Sequence, residues 1–258
     1  MRFINSIISR YRLFKLNYFH LFPEGKKLKK IKNIHKGKRC FIIGNGPSLK
    51  AEDLTIIDKN NDITFAFNRI FYIFPHTPWR PTYYMSQDEK MLKGYETEVE
   101  KIPAKYKFIP IELEWYYNIK KISGAYLFHV INAEKTNNNY FSKKIDNHIV
   151  LWGTVVYSAI QMAVYMGIKE IYLIGVDHCF KTSRNIKGEI IENPTVQDYF
   201  CKEYNKDKDN LWIPNTDETT LIYMKAKQYA DKYGIKIYNA TRGGKLDVFP
   251  RVDFDLLF

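Results

Sequence analysis

The sequence predicts an α/β protein: a mostly parallel, Rossmann-like sheet with helices on both faces and a small lid. Three observations lead there. Short, almost wholly apolar runs recur and end in glycine or an acid, as in Cys40-Phe41-Ile42-Ile43-Gly44 and Ile171-Tyr172-Leu173-Ile174-Gly175-Val176-Asp177. Runs without polar alternation suit strands buried on both faces. A helical pattern from Gly153 and Thr154 to Gly167 stands directly before the second run, and helix followed by buried strand is an α/β signature. With 258 residues, the chain is long enough for one such domain with a core of its own.

The elements follow in order. Residues 40–44 read as a first strand, 63–67 as a second and 82–86 as a third, with further candidates at 108–113 and 126–131. The stretch 87–150 has no clear periodicity, and a lid or subdomain fits there. Thr154 reads as an N-cap, and Val156, Ile160, Ala163 and Val164 as the apolar face of a helix that Gly167 stops. A last helix is expected from Thr216 or Asp217 to Lys232, then a strand at 235–238. The domain is expected over 40–258, with its lid within 179–216.

Charge separates the N-terminus from this body. Residues 1–39 hold twelve Lys/Arg and one acid, Glu24, so nearly all of the formal net charge of +12 lies there. The nearly neutral body argues against nucleic-acid binding, which needs a basic face on the fold itself. Ile4, Ile7, Ile8, Tyr11 and Phe14 fall at helical spacing with Arg10, Arg12 and Lys15 between them. That basic amphipathic helix either lies on an anionic membrane surface or packs on the domain ahead of a solvated linker at 26–39. No apolar run reaches the ~18 residues of a membrane span. Cys40, Cys179 and Cys201 form no paired motif and fit a reducing, cytoplasmic compartment, peripheral on the inner membrane face if the helix binds lipid. An oligomer is compatible with everything above.

In open parallel sheets, ligands bind beyond the carboxyl ends of the strands. The chemistry-bearing segments fall there: Gly44-Asn45-Gly46-Pro47-Ser48, Asn68-Arg69, Ser86-Gln87-Asp88, Asp177-His178 and Asn239 to Lys245. Glycines at 44 and 46 let backbone amides approach a phosphate or ribose, and Asn45 both donates and accepts. The turn lacks the endings of a P-loop or a dinucleotide fingerprint. Asp177 and His178 suit a metal ligand, a base or turn formers. Lys181, Arg184, Arg242 and Lys245 are candidate phosphate clamps, with Arg242 and Lys245 flanking Gly243-Gly244. No Cys/His cluster has zinc spacing.

Several segments together resemble a known family. Gly44 to Leu49, Gly153-Thr154-Val155-Val156, Lys169 to His178 and Asn239 to Val252 look like the MptE-like domain, named after an archaeal 6-hydroxymethylpterin diphosphokinase, over roughly 36–258. Its bacterial members often sit among surface-glycan functions. The same segments, with Phe67-Asn68-Arg69-Ile70-Phe71-Tyr72, resemble bacterial surface-oligosaccharide sialyltransferases. That resemblance implies transfer from a nucleotide-activated, CMP-linked sugar to a glycan or lipid-linked acceptor without metal or cofactor. It implies donor binding by Asn45, Gly46, Ser48 and Asn68, with Gly153 and Thr154 near the donor sugar and the residues after Asp177 near the leaving phosphate. The sialyltransferases carry a lid histidine as base, and residues 198–218 contain none. His178, Asp217 or Glu218 then has to serve. The family name implies a second reading, pyrophosphoryl transfer to a pterin with ATP and magnesium on Asp177 and Asp88. A third is a catalytically silent binding module.

Overall fold

The computed structural model describes residues 2–136, 140–206 and 211–258; side chains are described from residue 6 onward, apart from Asn205. Ile4 of the N-terminal stripe therefore lies outside the described side chains. The chain opens with α1 (Arg2–Asn17) and α2 (Pro23–Lys29). Then follow β1 (Arg39–Ile43), α3 (Ala51–Lys59), β2 (Ile63–Phe67), β3 (Tyr83–Met85), α4 (Glu89–Leu92), α5 (Glu96–Lys101), β4 (Tyr106–Pro110) and α6 (Ile111–Tyr116). Strands β5 (Tyr126–Phe128), β6 (Val130–Asn132) and β7 (Ile149–Leu151) lead to α7 (Val155–Tyr165) and β8 (Glu170–Ile174). A hairpin of β9 (Thr182–Arg184) and β10 (Ile190–Glu192), then α8 (Thr216–Lys232) and β11 (Lys236–Asn239), complete the regular elements.

Seven strands form one sheet in the order β11-β8-β1-β2-β3-β4-β5. Every neighbouring pair in it is parallel. Both faces are covered, which is why the strands read as unbroken apolar runs. Cys40, Ile42, Phe65, Ile171 and Leu173 point to a core shared with α2, α7 and α8. Phe41, Ile43, Ala66, Tyr172 and Ile174 point to a second core with α3 and α5. The chain order runs outward from β1 through β2 to β5, then returns to the other side of β1 with β8. This reversal opens a crevice at the carboxyl ends of β1 and β8.

Two expectations need correction. The stretch 87–150 is no separate lid or subdomain, because β4 and β5 extend the main sheet from within it. Its strands are short and punctuated by one-turn helices, so no period of 2 or 3.6 lasts long enough to read. Nor are residues 26–39 a solvated linker. Asn33, His35 and Gly37 donate backbone bonds to Tyr165, Met166 and Gly167 at the end of α7, at 2.8–3.1 Å. Phe19, Leu28 and Ile31 lie in the main core at 0–2% exposure.

Candidate functional site

The crevice holds a cavity of about 360 Å³, lined by the ends of β1, β2 and β8 and by the starts of α7 and α8. Close packing shapes its floor. Gly44 N donates to the Ile174 carbonyl at 2.8 Å and Gly46 N to the Gly175 carbonyl at 2.9 Å. A Cβ on Gly46 would stand 1.9 Å from Asp177 Oδ2, so nothing larger than glycine fits while Asp177 stays in place. Gly175 itself has φ +64°, a conformation that costs glycine little.

The Ser48 hydroxyl donates to Asp177 Oδ2 at 2.8 Å, tying the turn after β1 to the end of β8. Burial raises the pKa of Asp177, and the two Ser48 bonds oppose this. Asn45 Nδ2 donates to the Phe67 carbonyl at 3.2 Å and to the Tyr204 hydroxyl at 3.0 Å. Asn45 Oδ1 and Gln87 Oε1 are buried acceptors with no protein donor, and both residues line the cavity. Buried acceptors in this state are ready for N–H or O–H groups of a ligand. Asn68, at φ 50°, accepts the Ser86 hydroxyl on its Oδ1 at 2.9 Å.

Two helix N-termini open on the cavity. Thr154 caps α7, its hydroxyl accepting from Val156 N at 3.3 Å. Asn215 caps α8 by accepting from Glu218 N at 3.0 Å. Each places partial positive charge at the cavity wall. Among the described lining residues, Asp88, Asp177, Asp198 and Glu218 are carboxylates and none is lysine or arginine.

His178 stands where β8 ends, at φ 54°, and lines the cavity. Its Nε2 is 2.7 Å from the Thr220 hydroxyl. That hydroxyl gives its own proton to the Thr216 carbonyl at 3.0 Å. A hydroxyl has one proton, so His178 Nε2–H is the donor and Nδ1 keeps the lone pair of the neutral ring. Burial lowers the His178 pKa, opposed by Asp217 and Asp247, which favours that neutral ring near pH 7.

Of the residues singled out from sequence, Gly44, Asn45, Gly46, Asn68, Gly153, Thr154, Asp177, His178 and Glu218 line this one cavity. Ser48 is joined to it through Asp177. Glu218 Oε1 accepts from Trp152 Nε1 at 2.7 Å. Five others fall elsewhere, and of these Lys181 and Arg184 are exposed outside the cavity. Arg242 does not face the cavity: its guanidinium pairs with Asp53 at 2.9 Å and also with Asp255, joining the C-terminal segment to α3. Lys245 borders a neighbouring groove between α8 and the 245–248 loop. Asp217 is exposed outside the cavity and accepts from Ile186 N at 3.0 Å. Arg242 and Asp217 stand near a strand or helix end in sequence, but partners distant along the chain set their direction.

Sequence reading missed Tyr199, Tyr204 and Trp212, which the 179–215 segment brings over the cavity. Tyr199 and Tyr204 stack with centroids 4.1 Å apart, and burial raises the pKa of both phenols. The one available signal was the run of aromatics in that segment, which carries no period.

Asp88 and Asp177, the two carboxylates that the pyrophosphoryl-transfer reading gives to magnesium, both line the cavity. Asp88 caps α4, its Oδ1 accepting from Lys90 N at 2.8 Å, and Asp177 Oδ2 is held by Ser48. No group of three or more His, Cys, Asp or Glu able to hold a metal ion occurs among the described residues.

Comparison with known proteins agrees with this architecture. The sialyltransferase CstII from Campylobacter jejuni, solved with the substrate analogue cytidine-5'-monophosphate, superposes with TM-score 0.52 at 21% identity, covering 84% of this chain and 85% of that one. The MAf glycosyltransferase from Magnetospirillum magneticum AMB-1 gives TM-score 0.51 at 13% identity, over 91% of this chain but 38% of its own. At these identities the likeness concerns the fold. An apolipoprotein N-acyltransferase of Campylobacter jejuni is 27% identical over 153 residues, which are 54% of this chain and 34% of that protein. The chain thus spans only about a third of the length of that relative. Residues 16–183 match the family described as 6-hydroxymethylpterin diphosphokinase MptE-like, and the chain belongs to this MptE-like family.

Proposed function

We propose that the chain is a glycosyltransferase of glycoconjugate assembly that uses a nucleotide-activated sugar, CMP-linked, as donor. The observation that carries this reading is one cavity that joins the glycine turn, two helix N-termini and a histidine in its Nε2–H form. The N-termini of α7 and α8 suit a phosphate, and the free acceptors Asn45 Oδ1 and Gln87 Oε1 suit amino and hydroxyl groups of a nucleoside. The charge of the lining selects further. Four carboxylates without a described cation repel a triphosphate more than the single phosphodiester of a CMP-sugar.

In this mechanism His178 Nδ1 takes the proton of an acceptor hydroxyl as its oxygen bonds to the anomeric carbon. The bond from that carbon to the phosphate oxygen breaks, and the pair leaves on CMP. Helix N-termini stabilise the charge on the departing phosphate. Glu218 is the other carboxylate-bearing candidate for base at the cavity. The test is calorimetric titration of CMP, UDP, GDP and ATP, with and without magnesium. Binding of CMP without magnesium is expected, and no CMP binding overturns the reading. Binding of ATP with magnesium but not CMP points to pyrophosphoryl transfer, and binding of nothing to a silent module.

A further inference from the structure

Helix α1 is turned inside out relative to an ordinary surface helix, whose apolar stripe faces the core. Two of its cations, Arg12 and Lys15, face the protein. Arg12 Nη1 donates to the Trp115 carbonyl at 3.0 Å, and the guanidinium sits 5.4 Å from the Trp115 and Tyr116 ring centroids. Lys15 is buried at 9% exposure and pairs with Glu24 at 2.6 Å. Leu16 packs against the main core, whereas the other described apolar side chains of α1 face out. Ile7, Tyr11, Phe14 and Tyr18, spaced four, three and four apart, form one stripe with 47–56% exposure. Ile8 and Leu13 flank it, and Leu21 continues beyond the helix end, all exposed. An exposed apolar strip of this kind marks an interaction surface.

Charge decides the occupant. Arg10 and, further on, Lys26, Lys29, Lys30, Lys32, Lys36 and Lys38 are exposed in the same N-terminal segment. A second copy would bring the same cations against themselves. It would also bury far less than the ~800 Å² per partner of a stable interface through a single helix of 16 residues. An anionic lipid surface takes both features, apolar side chains below the headgroups and lysines among them. We infer that α1 docks this protein on an anionic bilayer through the Ile7-Tyr11-Phe14-Tyr18 stripe, with Arg12 and Lys15 fastening the helix to the body.

The docking also has a direction. Trp115 and Tyr116, on which α1 rests, end α6, which begins at the carboxyl end of β4. The cavity opens on that same carboxyl edge, three strands away at β1, or about 15 Å by strand spacing. Phe19, just beyond α1, has its ring centroid 6.0 Å from that of His129, which follows β5, so the end of α1 lies at that carboxyl edge. Joined to the glycosyltransferase reading, and resting on it, this makes the acceptor a lipid-linked hydroxyl.

Flotation of the full chain with vesicles tests the docking without any donor, so its failure is separate from failure of the transfer reading. The vesicles are pure phosphatidylcholine, or phosphatidylcholine and phosphatidylserine at two to one. The wild type is expected to float with the anionic vesicles, with raised salt releasing only part of it because apolar burial is not screened. The double variant Ile7→Asp/Phe14→Asp, and separately Tyr11→Asp, should lower vesicle partition by about tenfold or more with an unchanged melting temperature. Wild type that does not float, or variants that float like wild type, overturn the inference. So does a lipid-free dimer that the double variant makes monomeric, which would assign the stripe to a second copy.

Discussion

His178 Nε2 lies 2.7 Å from the Thr220 hydroxyl, whose own proton is given to the Thr216 carbonyl in the first turn of α8. One helix thereby sets the tautomer of the histidine at the end of β8. If Nδ1 is the base, His178→Gln should lower transfer by about 10²–10⁴-fold, the usual contribution of general-base catalysis, with CMP affinity within about twofold. Thr220→Val removes the partner of Nε2 and should cost about 1 kcal/mol of that rate. Burial lowers the pKa of His178, so its base form is lost only as pH falls through a value below the usual ~6.5. The acid limb of kcat/KM, measured in wild type, should lie there. A limb above that value, or one that survives in His178→Gln, would assign the base elsewhere, with Glu218 next.

Gly46→Ala tests the cavity floor. The added Cβ meets Asp177 Oδ2 at 1.9 Å, so the turn or the Asp177 side chain has to move and the Ser48–Asp177 bond is disturbed. A loss of about 1–3 kcal/mol is expected, the range for overpacking, together with weakened CMP binding. Chemical denaturation and calorimetry read the two effects. Wild-type values in both would mean that the close approach is not there.

Arg242→Ala separates a structural cation from a ligand-binding one. Asp53 is only 5% exposed and loses its guanidinium partner. Stability should fall by about 1–3 kcal/mol, as for a buried carboxylate left without a hydrogen-bond partner, while CMP affinity stays within about twofold. A tenfold loss of affinity at unchanged stability would return Arg242 to the ligand site.

Phe19→Ala probes whether the N-terminal segment belongs to the fold. Phe19 is 0% exposed in the main core beside Leu28. Truncation of a buried phenylalanine should cost about 3–5 kcal/mol. Removal of 1–39 should for the same reason leave a protein that melts earlier or fails to fold, whereas the stripe substitutions on α1 should not. A 40–258 fragment that melts with wild type would show the segment to be an appendage.

Much of the fold is legible in the sequence because its signals are local. β2 spans the expected 63–67, and β1 starts one residue ahead of the expected 40–44. Five-residue apolar runs and glycine punctuation need no knowledge of partners. The same holds for Gly44, Thr154 and His178, which sit at strand ends or helix starts, and parallel strands share one carboxyl edge. What the chain cannot show locally is direction. Arg242 is turned from the cavity by Asp53, 189 positions away, and Asn45 is occupied by Tyr204, 159 positions on. Tyr199 and Tyr204 reach the site through a segment without regular period. In α1 the sequence determined the stripe, since a helix places residues four and three apart on one side. Which side faces solvent was decided only by tertiary contacts of Arg12 with Trp115 and of Lys15 with Glu24. Periodicity is a property of neighbouring torsion angles, whereas the side a helix buries depends on the free energy of contacts with residues far along the chain.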